Sequence, residues 1–298
     1  MSRDPARVTP QGLQIAIIGP GGIGSTFAFQ LARAGHAVTV VARGKRLEQL
    51  QREPAIVTAS GERATVGVSA TLDPAIAWDL VLVTVLAPQV DVVLPALAAS
   101  AARTIMFMFN TFESLDRLRD AVGASRFAFG FPAILAVVAD GVLTTEIVRR
   151  PMSTTVTDAA WADVFSAAGI TSEVHPDMES WLRTHAVMVV PMMVAIALAH
   201  TRGAGVSWRE ARTLARAMAE GFRLVRRLGN SITPAPMEVM SRLPVPVLGS
   251  LIWTACRVPA IRKSGAAGMV EPQALLDTMI AAAPGPTPAL AVLRPLVA

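Results

Sequence analysis

The feature that most constrains this chain is a glycine-rich segment that directly follows a short apolar run. Residues 15–18 are all apolar, glycines follow at positions 19, 21 and 24, and residues 25–34 are apolar at helical intervals. Such a run is typical of a strand buried on both faces. Strand, glycine turn and helix are the context in which a G-x-G-x-x-G spacing binds the pyrophosphate of a dinucleotide, although a purely structural turn is the alternative. The predicted cofactor-binding residues here are Gly19, Pro20, Gly21, Gly22, Ile23 and Gly24.

The residues after the next strand indicate which dinucleotide is bound. Residues 37–41 complete a βαβ unit of the usual length, and they are followed by Arg43, Lys45 and Arg46 with no acidic residue. An acid at this point would bind the ribose 2′-hydroxyl of NAD, whereas an arginine accepts the 2′-phosphate of NADP. The sequence therefore predicts NADPH as the cofactor, with Arg43 as a ligand. The alternative is that these charges only keep a loop solvated.

Two further apolar runs predict buried strands of the same sheet. They cover residues 79–85 and 104–109, and they lead to Thr84 and Asn110 near their carboxyl ends. Ligands of open α/β sheets bind beyond the carboxyl ends of the strands, so Thr84 and Asn110 are expected beside the glycine turn. Residues 55–68 suggest two short strands around Ser60 and Gly61.

The second half of the chain has a helical pattern. Asp177 is a predicted helix start, and Ser207 with Glu210 has the spacing of a capping box at the start of a second long helix. Prolines then divide the chain into short helices. We expect an α/β fold, a Rossmann-type doubly wound parallel sheet over residues 1–174, followed by an all-helical substrate and dimerisation domain over residues 175–298.

Composition excludes several classes of function. The 27 basic and 22 acidic residues are scattered and tyrosine is absent, which is unlike a nucleic-acid surface. The apolar run at 186–199 is shorter than the ~20 residues that span a bilayer, so we expect a core helix and no membrane contact. The histidines and acidic residues lack metal-ligand spacing, and Cys256 is the one cysteine. The polar N-terminal residues predict no signal peptide and a cytoplasmic location.

Several of these motifs together resemble the ketopantoate reductase family. The motifs are I-A-I-I-G-P-G-G-I-G, V-V-A-R, D-L-V-L-V-T-V-x-A-x-Q and a strand that ends in asparagine. Phe129-Gly130-Phe131-Pro132 and Trp181-Leu182-Arg183-Thr184-His185 extend the resemblance toward the C-terminus. It implies an NADPH-dependent reductase with a Rossmann domain and a helical domain. A homodimer is a candidate assembly.

The chain departs from this family at residues that the family uses for chemistry. The resemblance places Leu86 where the family has a lysine near the cofactor, and Asn110-Thr111 where it has Asn-Gly, so Leu86 and Asn110 are expected cofactor-binding residues. It places Arg183 at the catalytic lysine and apolar residues, 187–192, where asparagines are expected. Ser264 and Glu271 are the nearest counterparts of the family's C-terminal serine and glutamate, and Glu271 is an expected cofactor ligand.

The change from lysine to arginine affects proton transfer. A guanidinium stays charged and does not readily deliver a proton, but Arg183 could bind an acceptor or stabilise its oxyanion. His185 is then a candidate acid, provided that both residues lie in an irregular first helical turn, since positions two apart do not share a helix face. Asn110 would position cofactor or acceptor. The predicted function is hydride transfer to a C=O or C=N group of a small acceptor bound between the domains, less polar than ketopantoate. The alternative is a non-catalytic NADPH-binding regulator.

Overall fold

The apolar run that precedes the glycine turn forms the central strand of a mainly parallel sheet. The structure is a computed structural model that describes residues 12–149, 152–263 and 270–297, without the side chains of residues 263, 270 and 297. Its strands are β1 (Gln14–Ile18), β2 (Ala37–Val41), β3 (Ala55–Thr58), β4 (Arg63–Thr65), β5 (Gly67–Ser69), β6 (Leu80–Val83), β7 (Thr104–Met108), β8 (Phe127–Phe131), β9 (Ile134–Ala139), β10 (Val142–Ile147), β11 (Thr154–Val156) and β12 (Ser172–Val174). The eight-stranded sheet has the order β12-β11-β8-β7-β6-β1-β2-β5.

The strand pairing explains why the apolar runs are continuous. β1 pairs in parallel with β2 on one side and β6 on the other, and β7 and β8 extend the sheet in parallel, while β11 is antiparallel to β8. Ile15, Ala16 and Ile17 are completely buried because both faces of β1 are covered. The predicted doubly wound parallel sheet is confirmed.

A second, smaller sheet of order β4-β3-β10-β9 packs against the helix that follows β1. β3 and β4 are antiparallel and join through the turn at Ser60 and Gly61, as the sequence predicts. β9 and β10 form a hairpin. A side chain at Gly22 would collide with the carbonyl oxygen of Ala136 in β9, so this glycine allows the helix to approach the second sheet.

The helices divide between two compact units. The sheet unit comprises Met1–Val85, Gln89–Phe109 and Asp116–Pro176, and the helical unit comprises Leu86–Pro88, Asn110–Leu115 and Asp177–Ala298. Helices of the sheet unit are α1 (Gly22–Arg33), α2 (Gly44–Arg52), α3 (Val90–Ala99), α4 (Asp116–Val122) and α5 (Ala159–Ala167). Those of the helical unit are α6 (Met178–Arg202), α7 (Trp208–Arg227), α8 (Ala235–Ser241), α9 (Val245–Ala255), α10 (Pro259–Lys263), α11 (Val270–Ala281), α12 (Pro288–Ala291) and α13 (Arg294–Val297). The domain boundary expected at residues 174 and 175 stays a prediction.

The two long helices of the helical unit begin where their capping residues indicate. The side chain of Asp177 accepts a hydrogen bond from the backbone N–H of Ser180 at the start of α6. At the start of α7, Ser207 and Glu210 form the predicted capping box. Both sequence signals are local, because each cap satisfies N–H groups of its own first turn.

Helix α6 is the core helix of the helical unit. It is the one helix among the described residues that is long and apolar enough to cross a membrane by length and composition, and it continues through Pro191. The expectation that this segment is too short to span was therefore wrong, since the helix extends beyond residues 186–199. However, 61% of its most apolar window is buried inside the protein. Val187, Val190 and Val194 are completely buried in the same cluster as residues of α7. The core assignment rests on this burial.

Candidate functional site

The glycine-rich turn between β1 and α1 has the backbone shape that its sequence requires. Gly19 has a φ of +87°, which favours glycine, and a side chain there would come within 2.7 Å of Cγ1 of Val85. The turn then closes with a hydrogen bond of 2.8 Å from the N–H of Gly21 to the carbonyl oxygen of Gly19. Position 19 therefore needs glycine for both conformation and space.

Gly24 allows α1 to pack directly on the turn. A side chain here would lie 2.5 Å from the carbonyl oxygen of Gly19 and still closer to the hydroxyl of Thr84. That hydroxyl lies 3.0 Å from the carbonyl oxygen of Ile18 and 2.8 Å from that of Gly19. Thr84, which the sequence places near the cofactor, thus holds the turn in shape from the end of β6.

Gly21 faces the space that a dinucleotide would use. A side chain built at Gly21 meets nothing within 4 Å, in contrast to its neighbours in the turn. Gly21 is the N-cap of α1 and provides no side-chain hydrogen bond, and the first turn of a helix leaves N–H groups without intrahelical partners. Open space beside such donors suits a phosphate, so these residues fit the pyrophosphate of a dinucleotide.

Two arginines follow β2, and the structure gives them different surroundings. Arg43 is the N-cap of α2 and its side chain is exposed. Arg46 is half-buried, and burial lowers the pKa of its guanidinium. Its Nε donates to the carbonyl oxygen of Pro20 at 3.1 Å and its Nη2 donates to Oγ of Ser25 at 3.0 Å. Arg43 is the predicted cofactor ligand, but Arg46 is the arginine that contacts the glycine-rich turn.

In the helical unit, Arg183 lies at the centre of a hydrogen-bonded network. Its side chain is 9% exposed, and its Nη1 lies 2.9 Å from Oε1 of Glu179, one turn earlier in α6. Nε donates to the carbonyl oxygen of Phe112 at 3.1 Å, and Nη1 also donates to Oδ1 of Asn230. The guanidinium carbon lies 5.7 Å from the centre of the Phe112 ring. Arg183 therefore has its charge compensated within the helical unit.

Glu179 extends this network to the segment at residues 110–115. Its Oε2 accepts hydrogen bonds from the N–H of Leu115 at 3.2 Å and from the hydroxyl of Ser114 at 3.4 Å. Together with the bond from Arg183 to Phe112, these contacts tie the segment to α6. The amide of Asn230 in turn donates to Oγ of Ser180 at 3.2 Å.

His185 has surroundings that do not suit a general acid. His185 is the eighth residue of α6, so the condition that Arg183 and His185 both lie in an irregular first turn is not met. The imidazole stacks on Trp181 with ring centres 5.1 Å apart and an interplanar angle of 10°. Burial lowers the pKa of His185 to about 4, so the ring is neutral at pH 7. These observations argue against the role of His185 as proton donor.

Asn110 and Glu271 form a second polar pair in the helical unit. A side-chain hydrogen bond joins them, and burial raises the pKa of Glu271 despite that bond. Oδ1 of Asn110 is buried and has no hydrogen-bond partner among the described residues. An orphaned acceptor beside a carboxyl is an arrangement that a ligand can complete. Leu86 of the same unit is 46% exposed, and Ser264 lies outside the described residues.

The contacts that the sequence pattern did not reveal join residues that lie far apart along the chain. Arg46 contacts Pro20 from 26 positions away, and Arg183 contacts Phe112 over 71 positions. The ion pair between Glu179 and Arg183 could have been predicted, because opposite charges four residues apart in a helix lie close enough to interact. Asn230 carried no signal beyond its place after the end of α7.

The match to a known family lies in the N-terminal half of the chain. The family model described as ketopantoate reductase PanE/ApbA matches residues 15–145, which include the glycine-rich turn, Arg43, Thr84 and Asn110. Over this stretch the chain is similar to the ketopantoate reductase family. The match covers less than half of the chain.

A curated relative shows the same similarity. The 2-dehydropantoate 2-reductase of Vibrio cholerae serotype O1 is 30% identical over 134 residues, which are 44% of this chain and 41% of the relative. The matched stretch thus spans less than half the length of the relative.

Solved ketopantoate reductase structures share the fold of the whole chain. A dimeric ketopantoate reductase from Staphylococcus aureus is 14% identical, with a TM-score of 0.66 over 96% of this chain and 97% of its own. A D-mandelate dehydrogenase in complex with NADH and anilino(oxo)acetate is 15% identical, with a TM-score of 0.71 over 95% of this chain and 96% of its own. These likenesses confirm the predicted architecture, a Rossmann-type sheet followed by a helical C-terminal region.

Proposed function

We propose that this protein is an NADPH-dependent reductase that transfers a hydride to a carbonyl, or an imine, of a small acceptor. The observation that carries the proposal is the glycine-rich turn. Gly21 opens onto free space at the uncapped start of α1, within the stretch that is similar to the ketopantoate reductase family. When bound, the dihydronicotinamide supplies the hydride, and the residues of the chain bind, orient and protonate.

The preference for NADPH over NADH is assigned to Arg43. Its exposed guanidinium follows β2, where an arginine can grip a 2′-phosphate with two hydrogen bonds. No acidic residue stands among residues 42–47 to repel that phosphate.

The proton for the reduced oxygen is assigned to Glu271. Arg183 is engaged by Glu179 and stays charged, and His185 is neutral at pH 7. Burial raises the pKa of Glu271, which increases its protonated fraction, and Asn110 holds its carboxyl. As the hydride reaches the carbonyl carbon, the carboxyl proton passes to the oxygen, which leaves an alcohol and a Glu271 carboxylate. Water returns the proton afterwards. Asn110 positions the cofactor: its amide nitrogen is used by Glu271, and its unpartnered Oδ1 can accept a hydrogen bond from an N–H of the nicotinamide carboxamide.

The acceptor is expected to be less polar than ketopantoate. Met188, Val189 and Met192 of α6 are half-buried against the core of the helical unit, in the stretch where the family resemblance calls for asparagines. A methionine-rich surface adapts to ligands of different shape and offers no hydrogen bonds to a hydroxyl group. 2-Oxo acids with an aromatic or branched substituent are the proposed class. The D-mandelate dehydrogenase with this fold binds anilino(oxo)acetate, an example of such an acid.

A non-catalytic NADPH-binding regulator is the second candidate. It is favoured by one observation: Arg183 stands at the lysine position and is committed to Glu179, Phe112 and Asn230. A homodimer is proposed by analogy with the Staphylococcus aureus relative, which is dimeric. The cytoplasmic location stays a prediction.

The test is steady-state oxidation of NADPH over a panel of carbonyl acceptors. We expect turnover of phenylglyoxylate or branched 2-oxo acids, and little turnover of ketopantoate. Efficient reduction of ketopantoate with no reduction of larger 2-oxo acids would refute the acceptor class. Tight NADPH binding without turnover of any acceptor would favour the regulator.

Glu271→Gln separates proton transfer from binding. Loss of the acid should lower kcat by about 100-fold or more while the Kd for NADPH changes little. In the wild type, kcat should fall as pH rises above the pKa of Glu271, because the acid must be protonated. The glutamine variant should lack this limb. An equal loss of NADPH affinity would instead assign Glu271 to cofactor binding, the role that the sequence first suggested.

A further inference from the structure

Arg46 makes contacts that the family resemblance does not anticipate. Its guanidinium donates to Pro20 and Ser25, both inside the glycine-rich segment and both buried, and a third bond reaches Oε1 of Gln49 in its own helix. Oγ of Ser25 also donates to the carbonyl oxygen of Pro20 at 2.9 Å. Arg46, Ser25 and Pro20 therefore form a closed triangle of hydrogen bonds that joins α2, α1 and the turn.

The charge of Arg46 is not neutralised by these partners. All three acceptors are neutral oxygens, whereas a guanidinium that loses water is normally paired with a carboxylate or a phosphate. A guanidinium carries five N–H donors, so two remain without a partner among the described residues. A half-buried cation with spare donors lies beside a turn whose Gly21 opens onto free space.

We propose that Arg46 positions the glycine-rich turn and supplies the positive charge that attracts the cofactor's pyrophosphate. This inference rests on the proposed function, since it takes a nicotinamide dinucleotide as the ligand. The two arginines then bind different phosphate groups of the cofactor. Arg46 serves the pyrophosphate, which NADPH and NADH share, and Arg43 serves the 2′-phosphate, which only NADPH carries.

These two roles predict that substitutions of Arg46 and Arg43 change the Kd values of NADPH and NADH differently. Arg46→Gln keeps a polar side chain but loses the charge and the fork of donors, so the Kd values of NADPH and NADH should both rise on the order of tenfold. Arg43→Gln should raise the Kd of NADPH by a similar factor and leave that of NADH unchanged. Arg46→Lys keeps the charge without the planar fork, and it should lie between wild type and Arg46→Gln.

The experiment is fluorescence titration of each purified variant with NADPH and with NADH, which needs no acceptor. Circular dichroism shows whether each variant is folded. If Arg46→Gln fails to fold, Ser25→Ala removes one partner of Arg46, and it should raise both Kd values about two- to threefold. The inference is overturned if Arg46→Gln affects NADPH alone, or if neither Arg46→Gln nor Ser25→Ala changes affinity. A wild type that binds neither dinucleotide refutes the proposed cofactor itself, and this inference with it.

Discussion

In the proposed function, the glycine-rich turn of the sheet unit binds the cofactor, and helix α6 of the helical unit contributes to the acceptor site. The two regions differ in how closely they keep the sequence pattern of the family. The turn keeps the three glycines of the G-x-G-x-x-G spacing, and Gly19 and Gly24 are explained by contacts within the turn and with the residues that follow β6. Helix α6 carries Arg183 where the resemblance places the family's lysine, and Arg183 is held by Glu179 of its own helix and by Phe112 and Asn230 from distant parts of the chain.

This difference teaches that cofactor binding and acceptor chemistry are separable in one fold. The turn is constrained by backbone geometry, so almost any side chain at Gly19 or Gly24 would distort it. A side chain of a helix can change more readily, provided that its new hydrogen-bond and ion-pair partners satisfy it. Glu179, Phe112 and Asn230 satisfy Arg183, so we infer that this position, catalytic by the resemblance, has a structural role here.

The largest expected effect is the loss of cofactor binding in Gly24→Ala. The added methyl group would collide with the carbonyl oxygen of Gly19 and with Thr84, so α1 must move away from the turn. Titration should show NADPH affinity reduced by about 100-fold or more, together with a lower Tm. Gly21→Ala is the matched variant, because its methyl group meets no protein atom. It should weaken NADPH binding with the Tm unchanged, and normal binding in this variant would show that the space is not a phosphate site.

Next in size is the loss of stability in Arg183→Ala. This change leaves the Glu179 carboxylate without its cation and the oxygen atoms of Phe112 and Asn230 without this donor. Unfolding in urea should show a loss of about 2–3 kcal/mol. Arg183→Lys restores the charge opposite Glu179 and should recover part of it. A variant of unchanged stability that cannot turn over acceptor would mean that Arg183 binds the acceptor, and the contrast between the two regions would fail.

A smaller loss of stability is expected for Glu210→Gln, which changes the N-terminal cap of α7. Hydrogen bonds from Arg202 and Ser207 lower the pKa of Glu210 to about 2. A depressed pKa contributes stability that is present above the unfolded value near 4.5 and is lost as pH falls toward 2. Since Glu210 is largely solvated, Glu210→Gln should cost about 0.5–1 kcal/mol at pH 7. Urea unfolding at several pH values should show this difference shrinking below pH 4.5, and a constant difference would contradict the assignment.

The smallest effect is expected for His185→Phe. Phenylalanine can keep the stack on Trp181, and a neutral buried imidazole contributes no proton at pH 7. Turnover should stay within about threefold of the wild type, with the same pH profile. Loss of turnover in a folded variant would restore His185 as the acid.

The elements that the sequence predicted correctly depend on neighbours along the chain. The glycines that follow the apolar run specify the turn, and the spacing of Ser207 and Glu210 specifies the capping box. In both motifs the residues that interact lie only a few positions apart in the sequence. The parallel order of β2, β1, β6 and β7 follows from buried apolar runs joined by crossovers.

The hydrogen-bond partners of Arg46 and Arg183 could not be predicted from the sequence, because most of them lie far away along the chain. Arg46 and Pro20, or Arg183 and Phe112, meet only because the chain folds, and an arginine offers no pattern that names its acceptor. The burial of His185 is likewise a tertiary property, since its pKa depends on what surrounds α6. Local geometry is therefore predictable here, and the state of each charged group is not.

The central claim is that this chain reduces a carbonyl, although Arg183 occupies the position in α6 where the resemblance places the catalytic lysine. The direct measurement is the rate of absorbance loss at the NADPH band in a single turnover with excess protein and phenylglyoxylate, for the wild type and Glu271→Gln. We predict rapid oxidation by the wild type and oxidation slowed by about 100-fold in the variant. Equal rates would contradict the assignment of Glu271, and bound NADPH that is never oxidised would contradict the claim itself.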